Sequence, residues 1–329
     1  MLNGKSILIT GGTGSFGRAF VSYILKKYNP KKIVVFSRDE MKQWEMSQTF
    51  NNFSNVRFFI GDIRDKTRLD RALKGIDFVV HAAAMKIVET AEYNPFECVK
   101  TNILGSMNVI DACIDNGIKK VVALSTDKAS SPVNLYGSTK LVGDKLFVHG
   151  NSYVGNLDVK FSVVRYGNVM GSRGSIIPYF LSLSKEDPFP VTDKRMTRFM
   201  ITLEQGIDLV LYALENMDGG EIYVKKIPSM NVMEIANSID PDRDIKIIGI
   251  RPGEKLHEQM IGEEDARYTF EFNDHYKILP QNSEVLFSYL NNKKFKKVDE
   301  GFVYASDKNT DVFSVKQLRK WINKNRSSL

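Results

Sequence analysis

The chain has 329 residues, 43 % of them hydrophobic and 26 % charged, and 46 Lys and Arg against 39 Asp and Glu leave a formal charge of +7. These globular proportions exclude disordered and fibrous classes, and the longest apolar runs fall well short of the roughly 20 residues that a membrane-spanning helix needs. Two cysteines, Cys98 and Cys113, are too few for a disulfide framework and lack metal-ligand spacing, which predicts buried thiols in a reducing compartment.

The opening MLNGKSILIT runs into an apolar strand without the layout of a secretion signal, and cytoplasm is the expected location. From there strand-like and amphipathic stretches alternate: KSILIT, GRAFVSYILKKY, KIVVFS, VRFFIGD, LDRALKG, DFVVHAA, ILGSMNVIDACIDNG, KKVVALST. Continuous Val/Ile-rich strands indicate burial on both faces, hence a doubly wound α/β (Rossmann) fold with a parallel sheet. After residue 170 the pattern loosens, although TLEQGIDLVLYALENM and EIYVKK again read as a helix and a strand. The expected division is a dinucleotide-binding domain of residues 1–168 and 199–226, with a smaller substrate lobe from 169–198 and 227–329.

Between the first strand and first helix, ITGGTGSFG places Gly11, Thr13, Gly14, Ser15, Phe16 and Gly17 where small residues let the backbone approach a pyrophosphate at a helix N-terminus. The second strand ends in Ser37 and Arg38, with Lys42 close behind; a hydroxyl and cations there favour NADP over NAD, while Asp39 argues the other way. Asp62, followed by Ile63, ends the third strand where an adenine amino group would lie, or else caps the next helix. His81 ends the fourth strand as a packed residue, and Ala82, Ala83 and Ala84 leave room for the cofactor.

The fifth strand leads into Thr126, Asp127 and Lys128, and Tyr136 and Lys140 follow, four apart and so on one helical face. A lysine beside a tyrosine lowers the phenol pKa, making Tyr136 a base for removing a hydroxyl proton while a hydride leaves. Oxidation at one carbon needs no second acid and base, so Asp127 and Lys128 imply further chemistry. A dry cleft would raise the Asp127 pKa and lower that of Lys128, so that both work in neutral form. No metal-binding motif occurs, and scattered basic residues read as a solvated surface rather than a nucleic-acid site.

Together, GGTGSFG, SRDE, HAAAMK, STDK, LYGSTK, RYGNVMGSRGS, MTRF and IRPGEKLHE resemble the extended short-chain dehydrogenase/reductases of nucleotide-sugar metabolism. Within these they are similar to the inverting UDP-N-acetylglucosamine 4,6-dehydratases that open pseudaminic acid biosynthesis. The resemblance implies oxidation of carbon 4 by bound NADP, loss of water across carbons 5 and 6, and return of the hydride to carbon 6. It implies a UDP-sugar held by Lys86, Asn168, Arg173, Gly174, Ser175, Arg198, Arg251 and Glu254. In it Asn168 faces the phosphates, Arg251 pairs with the diphosphate and Glu254 takes the uridine ribose. It also implies a homo-oligomer, with a hexamer among the possibilities. A retaining dehydratase, a 4-epimerase and a non-catalytic NADP-binding protein remain the alternatives.

Overall fold

The computed structural model describes residues 1–281, 283–292 and 294–326. The apolar runs of the first half form β1 (Ser6–Thr10), β2 (Lys32–Ser37), β3 (Val56–Ile60), β4 (Phe78–His81), β5 (Lys120–Leu124) and β6 (Lys160–Arg165). Between and around them lie α1 (Ser15–Lys27), α2 (Glu40–Thr49), α3 (Lys66–Ala72), α4 (Val88–Tyr93), α5 (Pro95–Val99), α6 (Gly105–Asp115) and α7 (Leu135–Gly150). The strands β1 to β6 run parallel in the order β3-β2-β1-β4-β5-β6. α3, α6 and α7 pack together on the sheet, while α1 packs with the later helix α9 (Leu203–Asn216), the arrangement of a doubly wound domain. All five residues of β1 are buried, as a central parallel strand covered by helices requires.

The second half adds β7 (Asn168–Val169), α8 (Ile176–Ser182), β8 (Phe189–Val191), β9 (Thr197–Ile201), β10 (Ile222–Lys225), β11 (Ser229–Asn231), α10 (Val232–Ile239) and β12 (Ile245–Ile247). It continues with β13 (Gln259–Ile261), β14 (Thr269–Glu271), β15 (His275–Ile278), β16 (Lys296–Lys297) and β17 (Tyr304–Ala305). A lobe core of Met170, Ile177, Met200, Met230 and Ile235 is closed by Leu318 and Ile322 of the helix Val315–Asn325. A Thr202/Gln205 capping box starts α9, which with β10 returns to the main sheet.

Two parts of the expected division differ. Residues 199–201, expected with the main sheet, belong to β9, which pairs with β7 and β11 in a separate three-stranded sheet. Conversely β15, β14 and β16, from the 227–329 stretch expected in the lobe, extend the main sheet antiparallel beyond β10. The physical reason is the edge of β10, whose Ile222, Tyr223 and Val224 are buried and whose backbone needs a second partner; the fully buried HYKI of β15 provides it.

Between α5 and α6 the chain makes a π-helical turn, Lys100–Leu104. Buried Asn102 in this turn accepts from the Met85 amide at 2.8 Å, and donates to the Met85 carbonyl and to Thr139 Oγ1 at 3.0 Å each. One side chain thus ties the loop after β4 to the helix that carries Tyr136 and Lys140. Asn102→Ala leaves buried backbone groups of Met85 unsatisfied and is expected to lower unfolding free energy by about 2–4 kcal/mol. Urea unfolding of the purified variant checks this, and an unchanged midpoint would refute it.

Candidate active site

A cleft of about 970 Å³ opens beyond the carboxyl ends of the parallel strands and between the two parts of the molecule. At its base β1 turns into α1 through the glycine loop. A Cβ on Gly17 would lie 2.2 Å from the Gly12 carbonyl oxygen, so only glycine lets α1 start this close to β1. Gly14 occupies the N-cap with no side-chain cap, and no acid stands in the first turn, which leaves the helix start suited to an anion. Thr13 Oγ1 lies 2.9 Å from Ser37 Oγ, joining this loop to the end of β2.

At that end Asp39 caps α2 through the Lys42 amide (2.9 Å) and pairs with the Lys42 ammonium at 2.5 Å, which together hold its carboxyl below the usual range. Arg38 is largely exposed and lies 3.7 Å from Asp62. Asp65, not Asp62, caps α3; Asp62 accepts instead from the Arg64 backbone and guanidinium. Ile63 is buried, and Ala82 and Ala83 donate their amides to Thr10 Oγ1. Buried His81 bonds Thr10 through Nδ1 at 2.8 Å, and desolvation brings its pKa down to about 3, so it is neutral and packed. Every residue expected to hold the cofactor lines this cleft.

The chain leaves β5 through Thr126 and folds Asp127–Ala129 into a single 3₁₀ turn, capped by the Thr126 hydroxyl. Helix α7 presses on this turn: a Cβ on Gly137 would lie 2.3 Å from the Lys128 carbonyl oxygen. The helix starts where Asn134 caps the Gly137 amide, so Tyr136 and Lys140 project from its first turns beside Thr126. The Thr126 side chain stands near the Tyr136 phenol, and both residues line the cleft. Asp127 is wholly buried behind the cleft wall; its Oδ1 accepts from Thr126 Oγ1 and Lys128 Nζ, both at 3.0 Å, while Oδ2 has no protein partner.

Three protonation tendencies follow, and two differ from the expectation. Burial raises the Asp127 pKa, as expected, with Glu258 adding to the rise against Lys128. Burial also lowers the Lys128 pKa, but the carboxylates of Asp127 and Glu258 outweigh it and hold it above the ordinary lysine value, so Lys128 rests as an ammonium. Tyr136 is pushed up to about 12 by desolvation despite the Lys128 charge. The nearby lysine does not offset this, because Lys140 donates to the Leu124 carbonyl at 2.7 Å and its own pKa is lowered by burial.

Glu258, which sequence reasoning missed, sits under this group at 2 % exposure. Its Oε1 lies 3.1 Å from Lys128 Nζ and 3.7 Å from Arg198 Nε. It closes the stretch IRPGEKLHE, whose charges are scattered among turn residues without periodicity, and only that stretch's match to a motif signalled it. The same stretch straps the region of the 127–129 turn: Asn134 Nδ2 donates to the Gly253 carbonyl (2.7 Å) and Lys255 Nζ to the Ser130 carbonyl (2.5 Å).

The expected substrate residues also line the cleft. Lys86 donates to the Arg173 carbonyl at 3.1 Å, and the Arg173 amide to Ser15 Oγ at 3.4 Å, so the 173–175 loop is tied to both the β4 loop and the glycine loop. Burial, then Arg173, lowers the Lys86 pKa. Asn168 is half-buried in β7, and Ser175 stands at the N-cap position of α8 without a side-chain cap bond, its hydroxyl buried and unpartnered. Arg198 donates to the carbonyls of Thr197 and Leu256. Arg251 and Glu254 are paired with one another, and Arg251 also reaches Glu89 at 2.7 Å, so a diphosphate or ribose would have to compete with these ion pairs.

A glycine loop at a helix start, a Tyr-x-x-x-Lys helix beside β5 and a 3-2-1-4-5-6 sheet with an appended lobe define an extended short-chain dehydrogenase/reductase. The family model for a polysaccharide biosynthesis protein matches residues 7–280, and the chain belongs to that family. An inverting UDP-N-acetylglucosamine 4,6-dehydratase of Campylobacter jejuni is 55 % identical over 98 % of each chain. The solved structure of Pen from Bacillus thuringiensis, 38 % identical, superposes with a TM-score of 0.90 over 100 % of both chains. DesIV from Streptomyces venezuelae, a dTDP-glucose 4,6-dehydratase solved with NAD, shares the fold at TM-score 0.69 and 23 % identity, covering 88 % of this chain and 98 % of its own.

Gly17→Ala forces α1 away from β1 at the loop expected to meet a dinucleotide, and a loss of at least about tenfold in dinucleotide affinity is expected, with the fold retained. Calorimetric titration with NADP⁺ and with NAD⁺ measures it; unaltered affinity for both would show that the close approach is not used.

Proposed function

We propose that the chain is a UDP-N-acetylglucosamine 4,6-dehydratase that inverts carbon 5, works with bound NADP, and opens a cytoplasmic route to pseudaminic acid-type sugars. The observation that carries this reading is the hydrogen-bonded Asp127–Lys128 pair beside Tyr136 at one cleft. An oxidation alone would not use that pair. The 55 % identical relative bearing that name supports it.

A bound nicotinamide dinucleotide supplies reversible hydride acceptance, from carbon 4 and back to carbon 6, and while oxidised a positive charge that favours the Tyr136 phenolate. Thr126 orients the carbon-4 hydroxyl and Tyr136 removes its proton, Lys140 lying on the same helical face. The resulting ketone acidifies the proton on carbon 5. A proton shift from Lys128 Nζ to Asp127 Oδ1, along their 3.0 Å hydrogen bond, creates a free amine and a carboxylic acid in one move. The amine takes the carbon-5 proton and the C–H pair becomes the double bond between carbons 5 and 6. Asp127 stands behind the cleft wall, so its proton reaches the carbon-6 hydroxyl by relay through the Thr126 hydroxyl bonded to it at 3.0 Å, and the hydroxyl leaves as water. Reprotonation of carbon 5 by water from the face opposite Lys128 inverts that centre; return of the proton by Lys128 itself would retain it.

Proton NMR of UDP-N-acetylglucosamine turnover in deuterated water tests the reading. The wild type should yield a 6-deoxy-4-keto sugar with inverted, deuterated carbon 5, whereas Lys128→Ala should stop at the 4-keto sugar with its carbon-6 hydroxyl in place. A wild-type product keeping that hydroxyl would indicate an epimerase, and an unchanged carbon-5 configuration a retaining dehydratase.

The NADP preference is supported by Arg38, largely exposed at the end of β2, and by Asp39, whose carboxylate is engaged by Lys42 and its own helix start rather than turned to a ribose. Arg38→Ala should weaken NADP⁺ binding by about tenfold and leave NAD⁺ little changed. Tighter binding of NAD⁺ than of NADP⁺ to the wild type would overturn the preference.

A further inference from the structure

Glu258 has no part in the steps above, yet it is one of two carboxylates buried against the same ammonium. Lys128 Nζ is 3.0 Å from Asp127 Oδ1 and 3.1 Å from Glu258 Oε1, and the two acids are 0 % and 2 % exposed. A buried carboxylate is retained only where its charge is answered. Arg198 Nε, 3.7 Å from the same Glu258 Oε1, adds a second cation.

The backbone makes this placement deliberate. The Glu258 amide donates to Ser306 Oγ at 2.9 Å and its carbonyl accepts from the Ser306 amide at 2.8 Å, where β13 begins to pair with β17. Ser306 Oγ is also 2.7 Å from Thr197 Oγ1 at the start of β9, next to Arg198. Lobe and turn therefore meet at this carboxylate, beside the Lys255 contact to the Ser130 carbonyl. Its Oε2, like Asp127 Oδ2, is buried without a protein partner.

Resting on the dehydratase reading, we propose that Glu258 is a positioning residue for the water-losing step: a fixed buried counter-charge that holds Lys128 against Asp127 and sets how many protons that pair carries. The chemistry needs the pair to share one labile proton, present either as Lys128 ammonium with Asp127 carboxylate or, after the shift, as amine with acid. Adding a proton abolishes the base and removing one abolishes the acid. Water loss should therefore follow a bell in pH whose limbs belong to the pair. The charged or titratable groups facing it are Glu258, Arg198 and Lys255 from the lobe and Tyr136 from α7. A negative charge at Glu258 makes every proton on the pair harder to remove, so it carries both limbs to higher pH.

Two carboxylates in one site commonly divide the work when their surroundings differ. Here Lys128 and Arg198 outweigh burial and hold Glu258 below its ordinary range, whereas burial raises Asp127. The proton thus belongs on Asp127, at the turn, rather than on Glu258 beneath it.

The test uses the holoenzyme and follows two signals across pH: appearance of reduced cofactor, which reports carbon-4 oxidation, and formation of the 6-deoxy-4-keto sugar. In Glu258→Gln, which keeps the shape and removes the charge, the bell for water loss should move to lower pH by about one unit or more, while the oxidation profile stays in place. Glu258→Asp keeps the charge and should keep the bell near its wild-type position at a reduced rate. A bell that does not move in Glu258→Gln, equal loss of both signals at every pH, or a shift in Glu258→Asp as large as that in Glu258→Gln would each overturn the proposal. A wild type that releases no 6-deoxy-4-keto sugar would instead sink the dehydratase reading itself, and Glu258's role with it.

Discussion

One ammonium shared by two buried carboxylates organises the centre of this molecule. Lys128 and Asp127 come from a single turn after β5, and Glu258 comes from the strap that leads into β13. None of the three could remain ionised in so dry a place alone, since an unpaired charge there would cost several kcal/mol. Each therefore constrains the others. The turn must present Lys128 inward, the strap must dock against the turn, and Arg198 on β9 must balance the second acid. The lobe and the dinucleotide-binding part are joined electrostatically at the point where chemistry would occur.

Apolar packing then decides where that point lies. The strands β1 to β6 end at one level because buried Val and Ile runs fix their parallel registers. Small residues set the approach distances: Gly17 lets α1 close on β1, and Gly137 lets α7 close on the turn that holds Asp127 and Lys128. Asn102 locks the wall after β4 to the same helix. The result is a set of polar side chains whose positions follow from backbone contacts, as preorganised sites require.

Much of this was legible in the chain because the signals are local. The alternation of buried strands and amphipathic helices, the glycine loop, and Tyr136 with Lys140 at helical spacing each lie within a short window. What was not legible depends on partners distant in sequence. The protonation of Lys128 reads wrongly without Glu258, whose stretch shows only turns and isolated charges. The antiparallel strands β14 and β16 are too short to carry a period of their own, and they join the main sheet because β15 completes the edge of β10. Arg251 and Glu254, read as ligands for separate parts of a nucleotide, turn to one another in the structure.

The 173–175 loop has one more implication. Its backbone is tied on one side to Ser15, in the glycine loop, and on the other to Lys86, after β4. A single stretch of the smaller lobe thus roofs the cavity in which a dinucleotide would lie. A catalyst whose coenzyme ends each cycle in the oxidation state in which it began has no need to exchange it, and these two ties would help to retain one prosthetic molecule from turnover to turnover.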